Sequence, residues 1–265
     1  MDAVDLSVAR EALREKAPLV HCLTNTVVQT ITANALLAVG AAPAMVDAPQ
    51  EAGDFAAVAS AVLINVGTVH ERTAEAMRLA ARSAGGAGTP WVLDPVAVGG
   101  LAYRTALAAE LVGLRPTVVR GNASEVMALA GAGAGGRGVD STAGTDDAAA
   151  AAAELAGRTG GIVAVSGKVD LLTDGRRTVR VGGGSVLLTR TTGAGCALGS
   201  LVAAYLAVTD DPLIGAVAAH VHVALAAERA AGVAGGPGTF AAAWLDALDE
   251  LDGAALSAAD LRTSA

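Results

Sequence analysis

Thr191-Thr192-Gly193-Ala194-Gly195-Cys196 joins a β-like segment at residues 185–189 to the apolar run 197–208, and so reads as the point where a strand hands over to a helix. Small residues at a helix start let the backbone pass close to a bound anion, which meets free N–H groups and the positive end of the helix dipole. Cys196 lies inside that field, where a thiol ionises more easily than in water and can act as a base. The same six residues also suit a glycine cap followed by a buried cysteine, and the hexapeptide alone does not separate the two.

Upstream of this turn, short Val/Leu/Ile-rich runs at 19–23, 44–46, 62–65, 91–94, 117–120 and 162–165 alternate with alanine-rich stretches at 28–39, 73–83, 105–112, 123–130 and 146–156. That alternation predicts an α/β fold, a mostly parallel sheet covered by helices on both faces. A hairpin follows at 171–173 and 178–181 around Asp174-Gly175-Arg176, and the chain finishes in helices at 197–208, 213–231 and 240–251. With 265 residues, 53% of them hydrophobic, the chain suits one large domain spanning 1–265; at 2% aromatic, its core is filled by Ala, Val and Leu. The glycine-rich stretch 131–138 reads as a loop, either a lid or neutral surface.

A net charge of −8 without any Lys/Arg cluster lacks the footprint of a nucleic-acid binder, so no nucleic-acid partner is expected. The longest apolar runs, such as 216–227, are broken by His220 and His222 and fall short of a membrane span, so no membrane partner is expected either. The acidic start Met1-Asp2-Ala3-Val4-Asp5 lacks the parts of a signal peptide, which points to the cytoplasm. Cys22 and Cys196 form no Cys-x-x-Cys pair and read as reduced thiols.

Asn25, Asn65, Asp94, Arg120, Asn122, Ser166 and Thr192 all stand at or just past the carboxyl ends of expected strands. In open parallel sheets ligands bind outside those ends, so these groups should converge on one crevice. Asp94, followed by Pro95, is a strand-end carboxylate suited to magnesium. Glu125 starts a helix capped by Asn122, where it either holds metal-bound water or simply complements the dipole. Arg120, with Gly121 behind it, either clamps phosphate oxygens or pairs with a surface acid. Gly167-Lys168 fails as a phosphate-binding loop because Ile162 and Val169 stand where Gly and Ser/Thr are required. His220 and His222, two apart on a helix, point to different faces and read as core or surface histidines.

Taken in order, Val20-His21-Cys22-Leu23-Thr24-Asn25, Pro43-Ala44-Met45, Asn65-Val66-Gly67, Leu93-Asp94-Pro95-Val96, Arg120-Gly121-Asn122-Ala123-Ser124-Glu125, the 192–196 turn and Gly236-Pro237-Gly238-Thr239-Phe240 resemble the hydroxyethylthiazole kinases of thiamine biosynthesis, over about residues 18–244. The resemblance implies a ribokinase-like three-layer α/β/α fold and transfer of the ATP γ-phosphoryl to the hydroxyl of 4-methyl-5-(2-hydroxyethyl)thiazole. It implies Met45 and Gly193, with Asn25 and Gly67, on the thiazole side, and Arg120, Ser166, Asn122 and Gly195 on the ATP side. Asp94 and Glu125 match the Mg2+ acids, and Cys196 stands where related kinases carry an aspartate base. A homotrimer with sites between subunits is implied as well. The alternatives are an ATP-dependent dehydratase of hydrated NAD(P)H, whose expected base is an aspartate, hydroxymethylpyrimidine kinase, and a non-catalytic nucleotide sensor. Ala97 and Gly100 depart from the family pattern in the stretch after Asp94-Pro95.

Overall fold

Strands β1 (Leu19–Leu23), β2 (Ala42–Ala44), β3 (Ala61–Asn65), β4 (Trp91–Asp94), β5 (Val118–Asn122), β6 (Ile162–Ser166), β7 (Asp170–Thr173), β8 (Thr178–Val181) and β9 (Leu261–Ser264) form one sheet in the order β2-β1-β3-β4-β5-β6-β7-β8-β9. The first six are parallel and the last three run antiparallel. The structure, a computed structural model, describes residues 3–131, 144–259 and 261–264. Beyond Gly131, the glycine-rich stretch 131–138 lies outside the described residues.

Alternate side chains of each strand enter two separate cores, as the period of two requires. On one face, Val20, Cys22, Leu63, Val92 and Ala164 pack under α1 (Ala3–Lys16), α2 (Gln29–Val39), α8 (Ala194–Leu206), α9 (Pro212–Val233), α10 (Pro237–Glu250) and α11 (Gly253–Ser257). On the other, Leu23, Val62, Ile64, Leu93, Val119 and Val163 pack under α3 (Pro49–Val58), α4 (Glu71–Ala87), α5 (Ala102–Val112), α6 (Ala123–Ala130) and α7 (Ala149–Thr159). The result is the three-layer α/β/α arrangement that the alternating runs predict. Burial on both faces explains why β3, Ala61-Val62-Leu63-Ile64-Asn65, is an unbroken apolar run closed by one polar residue.

Two expectations change. Residues 185–189 are not a strand: Val186–Arg190 is a 3-10 helix capped by Ser185, whose hydroxyl accepts the Leu187 N–H. Glycines 182–184 end β8, with Gly183 and Gly184 at φ +93 and +86, and turn the chain off the sheet, leaving this apolar segment no neighbour to pair with. The strand expected at 44–46 falls at Ala42–Ala44, an edge position where Pro43 is tolerated.

Helix α9 is long and apolar enough to cross a membrane, yet 72% of its most apolar window is buried within the fold. His222 explains part of that burial. Tyr205 Oη lies 2.9 Å from His222 Nδ1, and His222 Nε2 lies 2.9 Å from the Leu248 carbonyl, which fixes a neutral ring donating through Nε2. Burial, reinforced by Arg10 and opposed by the bond to Leu248, pushes the ring down to about 3 from an ordinary 6.5. The unfolded chain therefore binds the extra proton first as pH falls, so this contribution is whole above pH 6.5 and is lost between 6.5 and about 3. The loss amounts to roughly 2 kcal/mol by about pH 5. Asp94, raised to about 7, works in the opposite direction, because the folded state then holds a proton that the unfolded state releases. The difference between variants isolates His222: wild type should lose more urea resistance between about pH 7 and 5 than His222→Gln, which cannot titrate. Equal slopes would refute the assignment.

Candidate active site

The carboxyl ends of the parallel strands open onto a cleft of about 690 Å³ beside the seam where the strand order reverses between β1 and β3. Asn65 ends β3 in register with Asp94 at the end of β4. Its amide nitrogen donates to Asp94 Oδ2 at 2.8 Å, while its Oδ1 accepts from Asn25 Nδ2 at 3.1 Å and the Gly67 N–H at 3.0 Å. Asn25 Nδ2 also lies 3.5 Å from Cys196 Sγ. On the far side of Asp94, Arg120 Nη1 stands 3.8 Å from the same carboxylate oxygen, and Arg120 Nη2 donates to Ser166 Oγ at 2.8 Å. One polar line therefore runs from Cys196 through Asn25, Asn65, Asp94 and Arg120 to Ser166. Its middle is sealed: Asn65 and Asp94 are 0% and 1% exposed.

Helix α8 closes this line from above. Gly193, at φ +89, caps its start, and a side chain there would meet Ile31 Cγ2 at 2.5 Å, so both conformation and space demand glycine. A β-carbon on Gly195 would stand 3.4 Å from Arg120 Nη1, an ordinary contact distance, which places the guanidinium directly against the first turn. Glu125 does the double duty left open by its position in the sequence. Its Oε2 accepts the Asn122 N–H at 2.8 Å while Asn122 Oδ1 accepts the Glu125 N–H at 2.9 Å, a reciprocal cap. Its Oε1 accepts the Ala97 N–H at 2.8 Å and so pins the loop that follows Asp94.

Electrostatics here are set by burial. Loss of water raises Asp94 to about 7, with Arg120 and Asn65 opposing and Glu125 adding to the rise. Glu125 is likewise raised, burial outweighing its two backbone hydrogen bonds and Arg120. Cys196 is pushed up to about 11, first by burial and then by Asp94, against the amides of Asn65 and Asn25 and the charge of Arg120. The thiol is therefore not lowered as its place in the sequence suggests, because burial, with the carboxylate beside it adding to the rise, outweighs the favourable donors. Two carboxylates that each hold their protons too tightly form a site short of positive charge, and a divalent cation fits that deficit. Among the described residues no group of three or more His, Cys, Asp or Glu gathers, so water and ligand oxygens would complete such a cation's shell.

Asn25, Gly67, Asp94, Arg120, Asn122, Glu125, Ser166, Gly193, Gly195 and Cys196 all line the cleft. Met45, just beyond edge strand β2, does not; it packs partly buried against the core beneath α2 and α8. Gly167-Lys168, rejected as a phosphate-binding loop, directly follows the end of β6, and Lys168 nonetheless lines this cleft and a second cavity of about 1110 Å³ beyond it. His220, expected in the core or at the surface, is buried yet lines the cleft 2.6 Å from Asp170, a residue the sequence did not mark.

Fold and cleft together define a kinase of the ribokinase-like class. The chain overlays the ADP complex of Bacillus subtilis pyridoxal kinase with a TM-score of 0.62, covering 80% of this chain and 91% of that one at 18% identity, a likeness of fold. It overlays the hydroxyethylthiazole kinase protein of Pyrococcus horikoshii OT3 with a TM-score of 0.91 at 37% identity, covering 98% and 99% of the two chains. A hydroxyethylthiazole kinase of Kineococcus radiotolerans is 68% identical over 259 residues, 98% of this chain and 94% of that relative. The sequence model of the hydroxyethylthiazole kinase family matches residues 11–254, and the chain belongs to that family, kinases of thiamine biosynthesis.

Proposed function

We propose that the chain transfers the γ-phosphoryl group of ATP to the hydroxyl of 4-methyl-5-(2-hydroxyethyl)thiazole, with Cys196 accepting the hydroxyl proton. The observation that carries this assignment is the thiol at the first turn of α8, facing the cleft and held by the Asn25 amide at 3.5 Å. Phosphoryl transfer asks for positioning and charge neutralisation more than covalent chemistry. Asn25, Gly67 and Gly193 bound the thiazole end, while Arg120, Ser166, Asn122 and Gly195 bound the ATP end, where the guanidinium and the free N–H groups of α8 stabilise the transferring group. Asp94 and Glu125 are the residues that would hold Mg2+, directly or through water, and the ion would neutralise phosphate charge. Exclusion of Met45 from this cleft supports a site completed by a second copy, and we read the assembly as a homotrimer. The burial of α9 supports a soluble enzyme, which we place in the cytoplasm as one domain.

Pushed up to about 11, the thiol holds its proton near neutral pH, so the fraction of Cys196 able to act as base is small and grows as pH rises. Cys196→Ala should lower kcat about a hundredfold with the KM for ATP little changed. Wild-type kcat should climb between about pH 7 and 10, and the variant should lose that climb. ADP release with thiazole phosphate confirmed by mass is the measurement; wild-type activity in Cys196→Ala would dismiss the thiol as base.

A further inference from the structure

Helix α9 walls both cavities and carries one buried ionisable side chain that reaches the cleft. This is His220, with its side chain 0% exposed. Its Nδ1 lies 2.6 Å from Asp170 Oδ2, and Asp170 Oδ1 accepts the Gly167 N–H at 2.8 Å. An ionised carboxylate only accepts, so the ring hydrogen sits on Nδ1. The two oxygens of one carboxylate thus tie a ring anchored in the core to the backbone of the turn 166–168.

The sheet holds the ends of that turn, Ser166 in register with Asn122 on β5 and Asp170 with Val181 on β8, but its middle is thinly packed. Gly167 and Lys168 are exposed, Val169 is 39% exposed, and no apolar side chain from the turn enters the core. Among the described residues, the other side-chain ties are a hydrogen bond from Thr145 Oγ1 to the Val169 carbonyl at 3.0 Å and the bond between Ser166 and Arg120. The same turn stands between the two cavities, lining each. A second tether from α9 acts on the opposite lip, where Glu228 Oε1 accepts the Gly184 N–H at 3.0 Å.

We infer that Asp170 and His220 are positioning residues for nucleotide binding: they fix the turn 166–168, and with it the Ser166 hydroxyl that orients Arg120. The inference rests on the ATP-side reading of Arg120 and Ser166 given above. His220 touches no reacting atom; it acts through Asp170 and the Gly167 N–H. A salt bridge with only a structural role would hold the β6–β7 turn to α9 and affect folding without preference between substrates.

Steady-state kinetics with ATP and thiazole varied in turn, together with thermal melting, separate the two. His220→Leu keeps the bulk and loses the donor, whereas His220→Asn places an amide N–H close to where Nδ1 stood. His220→Leu and Asp170→Ala should each raise the KM for ATP about tenfold, leaving the KM for thiazole within about twofold, and His220→Asn should recover most of the loss. Asp170 is partly exposed and Asp170→Ala leaves the core side of α9 intact, so this variant keeps the test decisive if His220→Leu does not fold. An unchanged KM for ATP in a folded variant overturns the inference. So does a parallel rise in both KM values that follows the fall in melting temperature. Arg120→Met run alongside reports on the underlying site: if it leaves the KM for ATP unchanged, the ATP-side reading fails, whatever His220 does.

Discussion

Arg120→Met should reduce kcat/KM for ATP about a thousandfold, equivalent to roughly 4 kcal/mol, while the affinity for thiazole changes little. The guanidinium is 12% exposed and lies against the glycine turn of α8, beside a buried carboxylate and within hydrogen-bond reach of Ser166. Its Nε is buried with no protein partner among the described residues, so its hydrogen bonding is incomplete in the ligand-free protein. A guanidinium this far out of water gains most when a phosphate oxygen reaches its Nη groups at the cleft, because its desolvation is already largely complete. Arg120→Lys should recover little, since an ammonium supplies a point charge but not the planar fork that spans Asp94, Ser166 and a phosphate together. A loss below threefold in Arg120→Met would show that the nucleotide is neutralised elsewhere, with Lys168 the first candidate.

The largest effect on stability should come from Arg10. Its guanidinium is fully buried, and none of its hydrogen bonds goes to a carboxylate. Nε donates to the Leu251 carbonyl and Nη1 to that of Val39, both at 2.8 Å, while Nη2 reaches the carbonyls of Leu248 and Asp249 at 3.5 and 3.4 Å. Those carbonyls belong to the last turns of α2 and α10, where helices present unpaired acceptors and the negative ends of their dipoles. One cation therefore satisfies two helix ends at once. Arg10→Met preserves much of the volume but strands the Val39 and Leu251 carbonyls, and should cost about 3–5 kcal/mol, or about 10 °C in Tm. Urea unfolding at fixed pH checks it, and a cost below about 1 kcal/mol would mean that water caps both helices equally well.

The parallel strands were readable because burial on both faces leaves an unambiguous signal: an apolar run stopped by one polar residue at the ligand edge. Asn65, Asp94 and Arg120 stood out for that reason. Helix α1 was missed although Leu6, Ala9 and Leu13 mark a buried stripe, because charged residues fill the positions between them and mask the period. In α3, Pro49 at the first turn was a usable start signal that went unread. The segment 185–189 has strand composition, but pairing needs a neighbour, and only the glycines before it reveal that none is available. The Asp170–His220 pair joins residues 50 apart, and the upward shift of Cys196 comes first from its burial in the folded cleft and then from Asp94, distant in the chain; neither follows from local pattern. Met45 matched by motif, yet its place off the cleft is a fact of three-dimensional packing.

Arg10 and the Leu251 carbonyl are separated by 241 residues. At about 5–20 residues per second, a ribosome delivers the cation on the order of ten to fifty seconds before it delivers the last acceptor. Throughout that interval Arg10 has only the Val39 carbonyl of α2 to bond, and α2 waits without α10 packed against it. The parallel strands can assemble in the order they are made, but the layer over the first face cannot close until α10 has been made. Folding in the cell thus waits on α10, and a chain stalled before it would be left with an open face for chaperones or proteases to find.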